Sequence, residues 1–311
     1  MITTIPIAIR GAMVTSSTVP YPDTGETLWV TPTGYVEDDT VSYLIGDLYH
    51  KFICKTAHTS AADKVPEAFP DDAANAYWTD QGAVNKFAMF QLERSGQTVE
   101  TTSPLIVEVD PSEMVGAIAL NGVIGDSATL EIYDSTPSLV TTQTKNLLDR
   151  VVTNWYDWTY KPFRQVKKTV FVDLPLDPTY TFKLTVARAV GDVKLGALVA
   201  GVPFFIGKTL MSTDGGFQNF SSFDRTFDGE TIITIRDRIP ENTHKLFIKK
   251  DEFNATLQMF EDLNGIVTVW MGLSDSVDGY FESTFTVGIY KDFKYSIQDH
   301  GVQASALIEG I

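Results

Sequence analysis

Tyr77-Trp78-Thr79-Asp80-Gln81-Gly82-Ala83-Val84-Asn85-Lys86-Phe87-Ala88-Met89-Phe90 divides the chain into two kinds of sequence. The Tyr77-Trp78 pair followed by Gly82 reads as a strand end and a turn, and residues 86–90 read as the first strand of the next module. Upstream, Trp29, Tyr35, Tyr43, Phe52, Tyr77 and Trp78 crowd into about fifty residues. Such a short module needs rings to build a core, since each aromatic side chain buries ~150–250 Å². Downstream, short apolar runs recur between turn residues, with little helical periodicity.

Working outward, residues 29–82 are expected to form a small three-stranded β-module. A turn falls at 32–34 and another at Gly46-Asp47. Phe52 and Cys54 alternate with Lys51, Ile53 and Lys55 in the period of a strand. Residues 57–72, with Pro66 and Pro70, read as a long loop. Residues 1–28 carry Pro6, Pro20 and Pro22 and read as an arm or a short strand. Strand patterns at 105–109, 116–120, 129–133, 170–174, 181–186 and 194–199 make residues 83–205 a jelly-roll-like β-sandwich, with Asn121-Gly122 as a tight turn between strands.

Residues 206–311 are expected to fold as an α+β domain. Strands are read at 231–235, 245–248, 266–271, 284–289, 293–297 and 303–307. Between them Phe253, Leu257, Phe260 and Leu263 share one face of an amphipathic helix over 250–263. Asp251 and Glu252 fall in its expected first turn, where the helix dipole favours anions, and Gly265 ends it. It is the one strong helix in the pattern, so the chain as a whole is mainly β.

The totals narrow the chemistry. Among 311 residues, 40 Asp and Glu face 24 Lys and Arg, a net charge of −16. That balance argues against broad binding to a phosphate backbone and hence against a nucleic-acid partner. A single cysteine, Cys54, permits no intrachain disulfide, which fits folding in a reducing cytoplasm. The N-terminal residues lack a basic stretch before an apolar core, so no secretory signal is expected. The most apolar run, 195–207, is too short to span a bilayer, so no membrane insertion is expected.

No motif carries catalysis. There is no Gly-x-Ser-x-Gly and no Gly-x4-Gly-Lys-Ser/Thr. Cys54 lacks an evident activating context, and no enzyme activity or cofactor is expected. His50, Cys54 and His58 are four apart. On a strand the two histidines lie roughly 26 Å apart at ~3.3 Å per residue, so no metal site is expected. Glu37-Asp38-Asp39 and Asp71-Asp72 lack the spacing of a calcium loop and read as solvated charge. Trp29, Tyr49 and Trp78 are the candidate rings for stacking on a sugar. Trp155-Tyr156-Asp157-Trp158-Thr159-Tyr160, between strands, reads either as a plug in the sandwich core or as a subunit contact through Trp155, Tyr156 and Trp158.

Two resemblances rest on these residues. The pattern Trp29…Tyr35…Val41…Tyr49…Phe52-x-Cys54-x3-His58…Pro66…Tyr77-Trp78 resembles the small chitin-binding modules of carbohydrate-binding families 5 and 12. It departs at Asp38-Asp39, where that family has a Gly-Asp pair. The continuation, Tyr77-Trp78-Thr79-Asp80-x-Gly82-x-Val84-Asn85-Lys86-Phe87-Ala88-Met89-Phe90, is similar to a signature of tail structural proteins of tailed bacteriophages. Val84, Lys86 and Gln91 depart from its Thr, Arg and Asp. Trp155-Tyr156-Asp157-Trp158 with Pro162-Phe163, the run 195–201, and Gly288 with Asp292-Phe293 resemble those proteins too. The resemblance implies a non-enzymatic component of the virion tail, at a tip, collar or fibre junction and assembled in the host cytoplasm. Its implied partners are other tail proteins, copies of itself and host cell-surface glycan. The alternative is a carbohydrate-binding protein that reads host glycan through the N-terminal module.

Overall fold

The computed structural model describes residues 1–68, 70–94, 96–210, 212–225, 227–236, 238–273 and 279–311, with the side chain of Asp72 also outside the description. The chain is mainly β, as the patterning requires. It divides into two compact units, one of residues 7–201 and the other of residues 1–6 with 202–311.

In the first unit two sheets share one core. Leu139–Asn146, Ser127–Tyr133, Thr181–Ala187, Leu105–Val109 and Val14–Ser17 form a five-stranded antiparallel sheet in that order. Ser127–Tyr133, Thr181–Ala187 and Leu105–Val109 alternate buried with half-buried side chains, the period of a sheet with one wet face. Lys168–Phe171 and the strand beginning at Ala197 flank Ala117–Asn121 in the second sheet. Val107, Leu130 and Leu184 of the first sheet join Ile118, Leu120 and Phe171 of the second in one buried cluster.

Several local expectations change. Asn121-Gly122 does turn, with Gly122 at φ +67. The turn passes the chain from one sheet to the other instead of closing a hairpin. The expected strand at 194–199 breaks at Gly196 into Val193–Leu195 and Ala197–Phe205. A Cβ on Gly196 would sit 3.0 Å from the Asn121 carbonyl, tighter than ordinary contact, so glycine suits the close approach of the two segments there. Leu139–Asn146 is a further strand on the sheet edge, with Thr142 and Thr144 exposed and the half-buried Gln143 donating to the Val172 carbonyl at 3.0 Å.

The N-terminal module also differs in detail. Four strands pair here, Thr27–Leu28, Thr40–Ile45, Leu48–Cys54 and Trp78–Ala83, beside a small ribbon of Gly34–Tyr35 with His58–Thr59. Gly46, at φ +57, turns the Thr40–Ile45 and Leu48–Cys54 hairpin as expected. Tyr77-Trp78, by contrast, starts a strand and does not end one. Gly82 lies inside that strand at φ +92, near a break in register opposite residues 50–52. Residues 86–90 are not a strand. Phe87, Ala88, Met89 and Phe90 are all buried, which alternation forbids, and Ala88–Phe90 forms a 3-10 turn. Val84, Phe87, Met89 and Phe90 enter the sandwich core.

In the second unit Ile2–Pro6, Thr268–Met271, Phe285–Gln298, Gly301–Gly310, Arg238–Ile248 and Lys208–Thr209 follow one another across an antiparallel sheet. The two strands expected at 284–289 and 293–297 are one strand, with a bulge between Tyr290 and Asp292. The helix runs over Phe253–Asp262, so Glu252 is its N-cap and neither acidic residue occupies the first turn. Phe260 packs against Phe293 at 4.0 Å and Trp270 at 5.7 Å, and Tyr290 donates a hydrogen bond to the Phe260 carbonyl at 2.6 Å. Gly265, at φ +74, turns the chain away after the helix.

Candidate functional site

The three rings proposed for sugar stacking have separate fates. Trp78 is 0% exposed. Tyr35 lies edge-on at 5.2 Å and His58 at 5.1 Å, and the indole N–H donates to the Lys64 carbonyl at 2.9 Å. Trp78 is therefore core, and no sugar reaches its face. Tyr49 is half-buried between Tyr21 at 4.7 Å and Phe87 at 6.1 Å. Trp29 is half-buried with its ring edge-on to Tyr43 at 5.3 Å. The structure does not bring the three together as one exposed platform.

His50, Cys54 and His58 also part company. Cys54 Sγ lies 3.7 Å from His58 Nδ1, a contact outside the strand reading because the chain turns back after residue 54. Burial pushes the Cys54 thiol up, away from a reactive thiolate. His50 pairs elsewhere, with both oxygens of Asp80 at 3.2 Å. Among the described residues no group of three or more His, Cys, Asp and Glu is placed to hold a metal ion.

Asp80 explains why the 77–90 stretch holds its shape. Its buried carboxylate also accepts from Arg94 at 3.0 Å and from the Gly82 N–H at 2.7 Å. Asn85 makes a second joint. Its amide donates to the Val99 carbonyl at 2.9 Å, and its side-chain oxygen accepts from Val99 N at 2.8 Å. These polar groups fix one segment to the next, and His50, Asp80 and Arg94 with Gln91 and Glu93 line an open pocket of about 580 Å³.

The aromatic cluster after residue 150 is different. Leu148–Asp149 pairs with Arg164–Gln165 as a neck, closed by Arg164 on Asp149 at 3.0 Å. Above it stands a helix over Trp155–Tyr160. The Asn154 side chain caps it, accepting from Asp157 N at 2.8 Å. Asp157 answers by accepting from the Thr153 backbone N–H and hydroxyl, which holds its carboxyl below the usual range. Lys161 donates to the Val151 carbonyl at 2.8 Å. The Arg150 guanidinium lies over Phe163 at 4.5 Å and Trp158 at 5.3 Å.

This polar frame turns the rings outward. Trp155 is 80% exposed, and Tyr156, Trp158, Tyr160 and Phe163 are exposed as well. The cluster is no plug in the core of its own chain. Patterning misses this helix because it buries nothing, so no apolar stripe betrays it; its signal is the capping pair Asn154 and Asp157.

A second outward-facing apolar element also escapes the sequence reading as a site. Ser222–Arg225 pairs with Thr231–Thr234 as a two-stranded ribbon, with no third strand among the described residues. Phe220, Phe223, Phe227, Ile232, Ile233 and Ile235 are all exposed. Only 231–235 is legible as a strand; the Phe recurrence at 217, 220, 223 and 227 is the signal that could mark the rest.

The wet face of the five-stranded sheet carries an open groove of about 810 Å³ in which Glu108, Asp110, Tyr133, Asp134 and Pro137 meet Lys183. Lys183 is engaged by Glu131 at 3.1 Å, which holds its ammonium charged. Asp134 is engaged in its own loop by Thr136 and Ser138. Glu108 and Asp110 give the groove its acidic wall.

No protein-family profile matches the chain, and no curated protein matches it. Among solved structures it is similar to the crystal structure of chitosan-binding module 1 from a chitosanase/glucanase of Paenibacillus sp. IK-5. Identity is 11%, over 37% of this chain and 82% of that one, with a TM-score of 0.25. Among the described residues no helix is long and apolar enough to cross a membrane.

Proposed function

We propose that the chain is a non-enzymatic structural subunit of a multi-copy protein assembly, the tail of a tailed bacteriophage. The observation that carries the assembly reading is the ribbon of Ser222–Arg225 and Thr231–Thr234. It exposes Phe223, Phe227, Ile233 and Ile235 and pairs with no further strand among the described residues. Two strands alone are marginal in water, and large exposed apolar side chains in one place mark a protein contact. The outward rings of Trp155, Tyr156 and Trp158 are a second contact element of the same kind, in the residue types that dominate binding hot spots.

The assignment to a phage tail rests on the sequence resemblance of the 77–90 stretch and the later motifs. It is tested by quantitative peptide mass spectrometry of purified particles from the phage that encodes the chain. Many copies per particle support the reading, and absence from the particle ends it. A glycan-reading role for the N-terminal module has lost Trp78 to the core and rests on two half-buried rings.

A further inference from the structure

The joint built around Asp80 is also the floor of the open pocket lined by His50, Asp80, Gln91, Glu93 and Arg94. Its volume, about 580 Å³, lies within the ~300–1,000 Å³ of clefts that take a small ligand. Two of the lining side chains are buried, that of Asp80 at 1% exposure and that of His50 at 10%. Hydrogen bonds fix their orientation. Asp80 Oδ1 accepts from the Gly82 N–H at 2.7 Å and Oδ2 from Arg94 at 3.0 Å, while His50 Nδ1 lies 3.2 Å from both oxygens. A carboxylate has no proton to give, so Nδ1 is the donor, and in the neutral imidazole Nε2 keeps its lone pair. Nε2 bonds to nothing among the described residues and is not sealed in the interior, so it opens on the pocket.

The rim is set in the same way. Gln91 Oε1 accepts from the Ala83 N–H at 2.7 Å, so the amide NH2 is the end left to donate. Gly82 makes room for this. At φ +92 it has no Cβ, and one built there would sit 3.1 Å from Gln91 Oε1 and 3.7 Å from Arg94 Cδ. Glu93 is exposed, and its carboxylate engages no other described residue. The pocket thus offers a lone pair at His50, a carboxylate at Glu93 and an amide donor at Gln91. Asp80 and Glu93 carry two negative charges and Arg94, committed to Asp80, one positive, a formal net of −1. That charge opposes an anionic ligand. The mix of acceptors and a donor matches neighbouring hydroxyl groups, each of which donates one proton and accepts through its oxygen.

We infer that this pocket binds a vicinal diol of a neutral ligand. One hydroxyl donates to His50 Nε2, and its neighbour donates to Glu93 while accepting from Gln91. Sugar rings and acyclic polyols both carry that group. No ring stacking enters, so the site is independent of Trp29, Tyr49 and Trp78. It does not rest on the assembly reading, whose ribbon belongs to the other compact unit.

The test is saturation-transfer NMR of the full chain. The probes are glucose, galactose and mannose as ring diols, ribitol as an acyclic one, and glucuronate as an anionic one. At least one neutral probe is expected to bind, and glucuronate is expected to bind more weakly than the best of them. Binding by ribitol alone assigns the acyclic source, binding by hexoses alone assigns the ring, and binding by both supports the shared chemistry. Glu93→Ala removes a charged acceptor from an exposed side chain and is expected to weaken binding ~10-fold or more. His50→Asn keeps an amide donor toward Asp80 but removes Nε2, and is expected to weaken binding ~3-fold or more. Thermal unfolding matching the wild type shows that each variant is folded. If His50→Asn unfolds, the ring nitrogen NMR signals of wild-type His50 decide: the proton is expected on Nδ1, and the Nε2 signal is expected to move when the probe is added.

No binding by any neutral probe overturns the inference. So does equal affinity in the wild type and either folded variant, tighter binding of glucuronate, or an Nε2 signal that stays still while the probe binds.

Discussion

Phe223 and Ile233 stand directly opposite each other across the Ser222–Arg225 and Thr231–Thr234 pairing, and they remain 68% and 56% exposed. A cross-strand apolar pair stabilises a sheet when a second layer covers it. Among the described residues of this chain nothing does. Phe223→Ser with Ile233→Ser is therefore expected to leave the thermal unfolding of the isolated chain nearly unchanged, within about 0.5 kcal/mol. It is expected to remove association through the ribbon, read by sedimentation velocity. A large fall in unfolding temperature would mean that the pair is covered within its own chain.

Trp78→Ala tests whether the N-terminal rings are core. It leaves a large cavity beside Tyr35 and Phe52 and strands the Lys64 carbonyl. A loss of about 3–5 kcal/mol is expected. Hydrogen exchange in Thr40–Ile45 and Leu48–Cys54 should rise sharply. A variant that keeps native protection but loses a measurable glycan affinity would restore Trp78 as a binding ring.

Asp80→Ala removes the carboxylate shared by His50, Arg94 and the Gly82 N–H. Breaking a buried pair by deleting one partner costs ~3–5 kcal/mol. Arg94 is over a third exposed, so solvent takes back part of that and about 2–3 kcal/mol is expected. Chemical denaturation measures it. A neutral result would show that the joint between residues 77–83 and 91–94 is held by packing alone.

His244 is buried, and neither ring nitrogen has a partner among the described residues. Burial lowers its pKa from 6.5 to about 4. The unfolded chain therefore takes up the proton first as pH falls. The stability that comes from keeping His244 neutral is complete above pH 6.5 and is lost as pH drops toward 4, by about 3 kcal/mol in all. His244→Leu is expected to flatten that part of the stability–pH curve with little cost at neutral pH, since no hydrogen bond is removed. An unchanged slope in the variant would assign the acid sensitivity to other groups.

These residues also show what a sequence can carry. Leu105–Val109 and Thr181–Ala187 are legible because one face of each strand meets a core, and burial writes its period into the side chains. The Phe253–Asp262 helix is legible for the same reason. The Leu139–Asn146 edge strand half-buries only Thr141, Gln143 and Lys145 on its inner side, and the Trp155–Tyr160 helix buries nothing, so no apolar period marks either. Residues 86–90 mislead the other way: four buried residues in a row read as a strand, and only the polar joints of Asp80 and Asn85 with later residues decide otherwise. Of the candidate site residues, Trp155, Tyr156 and Trp158 are exposed together, while Trp78 is sealed; composition alone does not separate a ring that builds a core from one that leaves it.

The most direct measurement is native mass spectrometry of the full wild-type chain across a range of concentrations. The account predicts discrete multi-copy species, and the Phe223 and Ile233 substitutions are expected to lower their copy number. A wild-type protein that shows only the single-chain mass at every concentration would contradict it.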